Sequence, residues 1–269
     1  MKIKENQVIL LIGGTGFIGK NLVNTLINSG HELVILARDW SHVPELFFNF
    51  PQIKVIEVSL NELDKVASIV DELSIDLVIH MASGIVAGSD KKECNNELLN
   101  IVLPTMKLLD MLSQKSIKVI FFSSGGTIYG NKSDLITEES ELEPINYYGY
   151  SKLLIEQYIL FLSRLLKLEY VIVRPSNVYG KLQNIDETQG FIEVAIGKIL
   201  DNKTIEIWGS GKQTRDFIHI SDVCTAINKI VSQGISNKII NIACGKSHSL
   251  LEIIDILEKE LNMKALLSF

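Results

Sequence analysis

The apolar run Val8-Ile9-Leu10-Leu11-Ile12, followed at once by Gly13-Gly14-Thr15-Gly16-Phe17-Ile18-Gly19, admits few folds. An unbroken aliphatic run without polar alternation reads as a strand covered on both faces. The glycines allow a tight turn and close approach of backbone to a ligand, and a helical pattern opens behind them over residues 20–29. Strand, glycine turn and helix in this order place backbone N–H groups and the positive helix end at one point, which suits a pyrophosphate.

The pattern repeats. Apolar strands are predicted at 32–36, 54–58, 76–81, 118–123 and 169–174, with helices between them, so the fold class is α/β with a doubly wound parallel sheet. A long helix is predicted around 98–113, with a kink at Pro104. The polar, acidic segment 131–144 reads as a loop. From Asn177 onward glycines and mixed elements replace the strand–helix alternation. Residues 1–176 are therefore read as a dinucleotide-binding domain and 177–269 as a smaller substrate lobe, with 221–243 returning to pack on the first domain.

A net charge of −6 argues against a nucleic-acid surface, which would carry a basic stripe. Cys94, Cys224 and Cys244 are far apart and odd in number, with neither metal-type spacing nor a disulfide framework. The apolar N-terminal run is too short to span a bilayer and no signal peptide is visible, so a cytoplasmic protein with no membrane partner and no metal is expected.

Two features carry chemistry. Tyr148 and Lys152 lie four residues apart, on one face of a helix. A cation beside a phenol favours the phenolate, so the tyrosine pKa is expected to fall from about 10; reaching 7 needs roughly 4 kcal/mol of differential stabilisation. Tyr147 and Tyr150 lack a lysine four residues later and read as packing or lobe contacts. The second feature is the end of the second strand, Leu36-Ala37-Arg38-Asp39. An acid there would hold ribose hydroxyls and an arginine a 2′-phosphate. With Arg38 next to the strand end and the acid moved along, the reading leans to NADP, with NAD as the alternative.

Together with His80-Met81-Ala82, Asn100, Ser123-Ser124-Gly125-Gly126-Thr127-Ile128-Tyr129-Gly130, Arg174-Pro175-Ser176-Asn177-Val178-Tyr179-Gly180, Arg215-Asp216-Phe217-Ile218-His219, Asp222-Val223 and Asn241-Ile242, these motifs run along nearly the whole chain. In this order the chain resembles an extended short-chain dehydrogenase/reductase, in the branch of NAD-dependent epimerases and dehydratases that contains UDP-glucose 4-epimerase. The resemblance implies a nucleotide-sugar enzyme, with a nucleotide-diphosphate sugar as partner and a homodimer as assembly. It assigns cofactor binding to Gly13, Gly16, Phe17, Ile18, Gly19, Arg38, Ala82, Asn100, Tyr148 and Lys152. Tyr148 would be the acid/base and Lys152 would bind the nicotinamide ribose. Asn177 and Arg215 would hold the substrate diphosphate, arginine because its planar fork matches phosphate oxygens, and His219 would be structural.

Two departures stand out. The family's hydroxyl partner for the tyrosine is replaced by Gly125, leaving Ser124 or Thr127, with a slight lean to Thr127. Family members also continue beyond the helix around Leu250–Leu261, so a shortened substrate lobe is expected. Gly126 and Thr127 stand where related 4,6-dehydratases carry an Asp-Glu pair, which argues against a dehydratase. The readings are a 4-epimerase of a UDP-hexose, a 4-keto-6-deoxysugar reductase using NADPH, or a non-catalytic dinucleotide-binding sensor.

Overall fold

The computed structural model describes residues 4, 6–132, 135–183 and 190–269. Strand β1 (Val8–Ile12) leads through the glycine turn into α1 (Phe17–Asn28), then β2 (Glu32–Ala37) and β3 (Ile53–Glu57). Next come α2 (Leu63–Glu72), β4 (Leu77–His80), α3 (Lys91–Glu97), α4 (Leu103–Gln114) and β5 (Lys118–Phe122). The long helix α5 (Tyr147–Leu166) precedes β6 (Tyr170–Pro175). The remainder comprises β7 (Asn177–Tyr179), α6 (Phe191–Leu200), β8 (Thr204–Glu206), β9 (Thr214–His219), α7 (Ile220–Ser232) and β10 (Lys238–Ile242). It ends with β11 (Ser247–Ser249), α8 (Leu250–Leu261) and β12 (Leu266–Ser268). Ser133 and Asp134, in the segment read as a loop over 131–144, lie outside the described residues.

A seven-stranded sheet in the order β10-β6-β5-β4-β1-β2-β3 forms the centre, every pair parallel. It is a Rossmann-type doubly wound sheet. Period-two alternation of side chains divides each strand between two cores. Ile9, Leu11, Leu33 and Ile35 face Leu22 and Leu26 of α1 and Ile227 and Ile230 of α7. Leu10, Ile12, Val34 and Leu36 face Val66 of α2, Leu108 of α4 and Ile155 and Ile159 of α5. Both faces are covered, which is why the strands read as continuous aliphatic runs. Strand order reverses between β1 and β4, the position in such sheets where ligands sit outside the strand carboxyl ends.

The chain from 177 onward contributes to both regions. β7, β9 and β11 form a three-stranded sheet and β8 pairs with β12, with Ile199, Ile205, Ile207 and Ile254 as a small core beneath α6 and α8. Meanwhile β10 adds to the edge of the large sheet beside β6, and α7 packs against α1.

The helix predicted over 98–113 departs from expectation. A π-helical turn, Leu98–Val102, joins α3 to α4, and Pro104 lies in the first turn of α4. Proline has no N–H to donate to the preceding turn, so the irregularity is a wide turn before Pro104 rather than a kink within a continuous helix. No helix among the described residues is long and apolar enough to cross a membrane.

Candidate active site

The glycine turn joins β1 to α1 on the strand-carboxyl side of the switch point. Gly13 has φ +84° and donates no space to a side chain: a Cβ there would stand 2.8 Å from the Ala82 backbone nitrogen. At Gly19 a Cβ would meet Gly14 Cα at 2.5 Å, so glycine lets the helix close on its own turn. Gly16 caps α1 without a side-chain hydrogen bond, and the first turn holds no acid. The N–H groups at this helix end are therefore available to an anion. A tight glycine cradle with a free helix N-terminus fits a dinucleotide pyrophosphate. Phe17 and Ile18 turn inward and pack on the core between α1 and the sheet.

Ala82 connects this cradle to α5. Its carbonyl accepts a hydrogen bond from Lys152 Nζ at 3.2 Å. Asn146 caps α5 by accepting from the Gly149 N–H at 2.8 Å. A Cβ at Gly149 would lie 2.7 Å from the Thr127 carbonyl, so the first helical turn presses on segment 124–130. That contact sets Tyr148 near Ser124, whose hydroxyl favours the phenolate. Thr127 Oγ1 is buried without a hydrogen-bond partner among the described residues. Among the described residues Thr127 Oγ1 thus makes no hydrogen bond to Tyr148. The glycine at 125 also has a local cause: its N–H donates to the Pro175 carbonyl at 2.8 Å, and a Cβ would stand 2.9 Å from the Arg174 carbonyl.

The expected fall in the Tyr148 pKa is corrected by the structure. Burial is the largest influence and pushes it up to about 12; Glu97 adds to the rise and the Ser124 hydrogen bond opposes it. Lys152 is 2% exposed and its own pKa is lowered to about 8, again by burial first. Its Nζ lies 5.6 Å from the Tyr148 ring centroid and 5.2 Å from that of Phe121, within cation–π range of both. Desolvation is the largest influence on both groups.

Arg38 is exposed immediately beyond β2. Asp39 is occupied locally: it accepts from Ser41 Oγ, bonds His42 Nδ1 at 2.8 Å and accepts from the Ser41 N–H at 3.0 Å, and these bonds, the Ser41 hydroxyl first, hold its carboxyl down at about 2. Asn100 is exposed on the π-helical turn, accepting from Asn61 Nδ2 at 3.2 Å and donating to the Asn96 carbonyl at 2.9 Å. His80 is buried against Thr105 Oγ1 at 2.8 Å, and burial lowers its pKa to about 3, so it is a neutral packing residue.

In the smaller lobe, Asn177 donates from Nδ2 to the Asp216 carbonyl at 2.9 Å, and Arg215 is exposed on β9 with no ion pair among the described residues. Asp216 was not foreseen as an organiser. Its carboxylate accepts from Ser176 Oγ at 2.5 Å, Cys244 N–H at 3.0 Å and Gly245 N–H at 2.7 Å. It thereby ties β9 to the ends of β6 and β10 and fixes where Arg215 stands. Glu97, buried at the end of α3, was also missed. Its position in a polar run carries no sequence signal of burial.

The model of the NAD dependent epimerase/dehydratase family matches residues 9–243. The chain belongs to this family. It is an enzyme of the extended short-chain dehydrogenase/reductase type. A putative UDP-glucose 4-epimerase of Methanocaldococcus jannaschii is 34% identical over 260 residues, covering 96% of this chain and 83% of that protein. A dTDP-4-dehydro-6-deoxyglucose reductase of Escherichia coli is 33% identical over 276 residues, covering 100% and 86%. Among solved structures, a UDP-glucuronic acid 4-epimerase from Bacillus cereus, in complex with UDP-glucuronic acid and NAD, aligns with TM-score 0.86 at 27% identity. The alignment covers 97% of this chain and 85% of that one.

Proposed function

We propose that this protein is an NAD(P)-dependent nucleotide-sugar 4-epimerase acting on a UDP-hexose. The observation that carries the reading is the convergence of Tyr148, whose ring lies 5.6 Å from Lys152 Nζ, and Lys152, bonded to Ala82, beside the glycine cradle. A bound nicotinamide dinucleotide supplies a hydride acceptor and donor and, when oxidised, a ring cation. Tyr148 moves the proton at the sugar hydroxyl, taking it as the ring carbon is oxidised and returning it after the keto sugar has turned. Ser124 holds the phenol oxygen in place. Lys152 fixes the ribose near the nicotinamide and adds a positive charge on the same helical face. Arg215, with Asn177 nearby, holds the diphosphate, so the sugar is presented to Tyr148 from the smaller lobe. General acid–base help of this type is worth typically about 10² to 10⁴ in rate.

A second reading, a nucleotide 4-keto-6-deoxysugar reductase, rests on the 33% identity over 276 residues to the dTDP-4-dehydro-6-deoxyglucose reductase of Escherichia coli. Burial favours the neutral phenol form of Tyr148, the state of a proton donor. A reductase uses it once, in that direction. Epimerase and reductase separate when the protein is incubated with UDP-, dTDP- and GDP-sugars, including 4-keto-6-deoxy forms, while isomer formation and NAD(P)H absorbance are followed together. An epimerase interconverts isomers without net change in absorbance; a reductase consumes one NADPH per sugar. Tyr148→Phe is expected to reduce turnover by at least about 10²-fold with dinucleotide affinity nearly unchanged. Full turnover in that variant would remove Tyr148 from the mechanism.

A further inference from the structure

Strand β11 runs antiparallel to β9 and sets His248 directly opposite Arg215, with Ser247 opposite Asp216. Residues directly opposite in such a pair put their side chains on one face, about 4.5–5.5 Å apart at Cβ. His248 is therefore the cross-strand neighbour of Arg215. Its Nδ1 lies 3.7 Å from Glu252 Oε2 in the first turn of α8, and that oxygen already accepts from the Ser249 N–H at 2.8 Å. The Glu252 carboxyl is lowered first by that Ser249 bond, and His248 and the exposed Lys246 also act on it. Basic side chains set opposite each other on a sheet gain nothing from one another; an anion between them does. The ladder stands at the carboxyl edge of the large sheet. Asp216 on β9 accepts from Ser176 Oγ just beyond β6 and from the Cys244 and Gly245 N–H groups just beyond β10. Lys246 and His248 follow at once, and a Cβ at Gly245 would meet nothing within 4 Å, so the space beside them is open. Ligands of such sheets sit at this edge.

We infer that His248 is a second phosphate contact of the smaller lobe: with Arg215 it grips the diphosphate of a nucleotide sugar from two neighbouring strands. The inference rests on the nucleotide-sugar reading above and adds β11 to it. Arg215 presents a planar fork to phosphate oxygens from β9. His248 approaches from the opposite strand, and an imidazole that meets Glu252 through Nδ1 has Nε2 left for a phosphate oxygen. A diphosphate has oxygens enough for both side chains. The chain as a whole carries a net charge of −6, so a local group of bases lets this face attract an anion that the rest of the molecule repels.

The test is calorimetric titration with whichever of UDP, dTDP or GDP the wild-type protein binds most tightly, and separately with dinucleotide. In His248→Gln the dissociation constant for the nucleoside diphosphate is expected to rise at least about threefold, the scale of one exposed charge contact, with dinucleotide affinity within about twofold of wild type. His248→Arg keeps a cation opposite Arg215 and is expected to hold the nucleoside diphosphate within about twofold of wild type. Thermal unfolding is followed for each variant, and Arg215→Ala serves as the reference for loss of the first phosphate contact. Unchanged affinity in folded His248→Gln would overturn the inference, and a loss in Arg215→Ala beside it would leave the nucleotide-sugar reading standing. Equal losses in the Gln and Arg variants would also overturn it, because the loss would then follow shape and not charge. A wild-type protein that binds none of the three at millimolar concentration would overturn both.

Discussion

Lys152 is a cation buried to 2% exposure whose only hydrogen bond among the described residues is to the Ala82 carbonyl, and this arrangement costs stability. Its pKa falls to about 8 from the ordinary lysine value of 10.5, burial being the main cause. The folded protein therefore binds this proton more weakly than the unfolded chain does. The cost is present in full below about pH 8, where both states are protonated, and it disappears as pH rises through 10.5, where both are neutral. At about 1.4 kcal/mol per unit the penalty is on the order of 3 kcal/mol. Lys152→Met is thus expected to stabilise the cofactor-free protein at pH 7 by up to roughly that amount, with the gap narrowing between pH 8 and 10. Chemical denaturation across this range checks it, and a gap that widened with pH would contradict the burial argument. The spacing of Tyr148 and Lys152 was legible in the sequence because a helix places residues four apart on one face. The direction of the tyrosine shift was not. It depends on how much protein covers the two groups and on the charge of Glu97, neither of which is local in sequence.

Helix α5 carries Tyr148 and Lys152 in its first turns, and one turn further on Glu156 locks it to β6. Arg174 is held by Glu156 through two hydrogen bonds, donates to the Tyr129 hydroxyl at 2.8 Å, and lies 5.1 Å from that ring. Tyr129 in turn donates to Asn241 Oδ1 on β10 at 2.7 Å. The motif residues Tyr129, Arg174 and Asn241, conspicuous in the sequence beside the chemistry-bearing ones, thus act as a brace between α5, the 124–130 segment and two strands. Removing one charge from such a pair strands the other. Glu156→Ala is expected to cost about 3–5 kcal/mol, whereas Glu156→Leu combined with Arg174→Met should recover most of it. Denaturant titration of the singles and the double variant decides this; strictly additive losses would mean that the brace is not an ion pair in energetic terms. Strands were the most readable elements, since burial on both faces leaves an uninterrupted aliphatic run. The π-helical turn was not readable: Pro104 signals an irregularity without saying whether the chain bends or widens.

At the scale of the whole molecule, the cradle, Ala82 and the head of α5 all stand at the carboxyl edge of one seven-stranded sheet, while Arg215 comes from β9 in the smaller three-stranded sheet. A dinucleotide should therefore bind the folded chain before any sugar does and raise its unfolding temperature by itself. At a free concentration one hundredfold above the dissociation constant, binding adds about 2.7 kcal/mol, or roughly 5 to 10 °C for a chain of this size. Which dinucleotide does so turns on the end of β2. Asp39 is bonded to Ser41 and His42, whereas Arg38 is exposed beside it. A 2′-phosphate would meet a positive charge there, and ribose hydroxyls would meet no unoccupied acid at the strand end. NADP+ is accordingly expected to shift the melting temperature more than NAD+ at equal concentration. Arg38→Ala should reduce the NADP+ shift while leaving the NAD+ shift nearly unchanged, because only the extra phosphate needs the guanidinium. Equal loss of both shifts would mean that Arg38 supports the adenosine site as a whole, and a larger NAD+ shift in the wild-type protein would reverse the assignment.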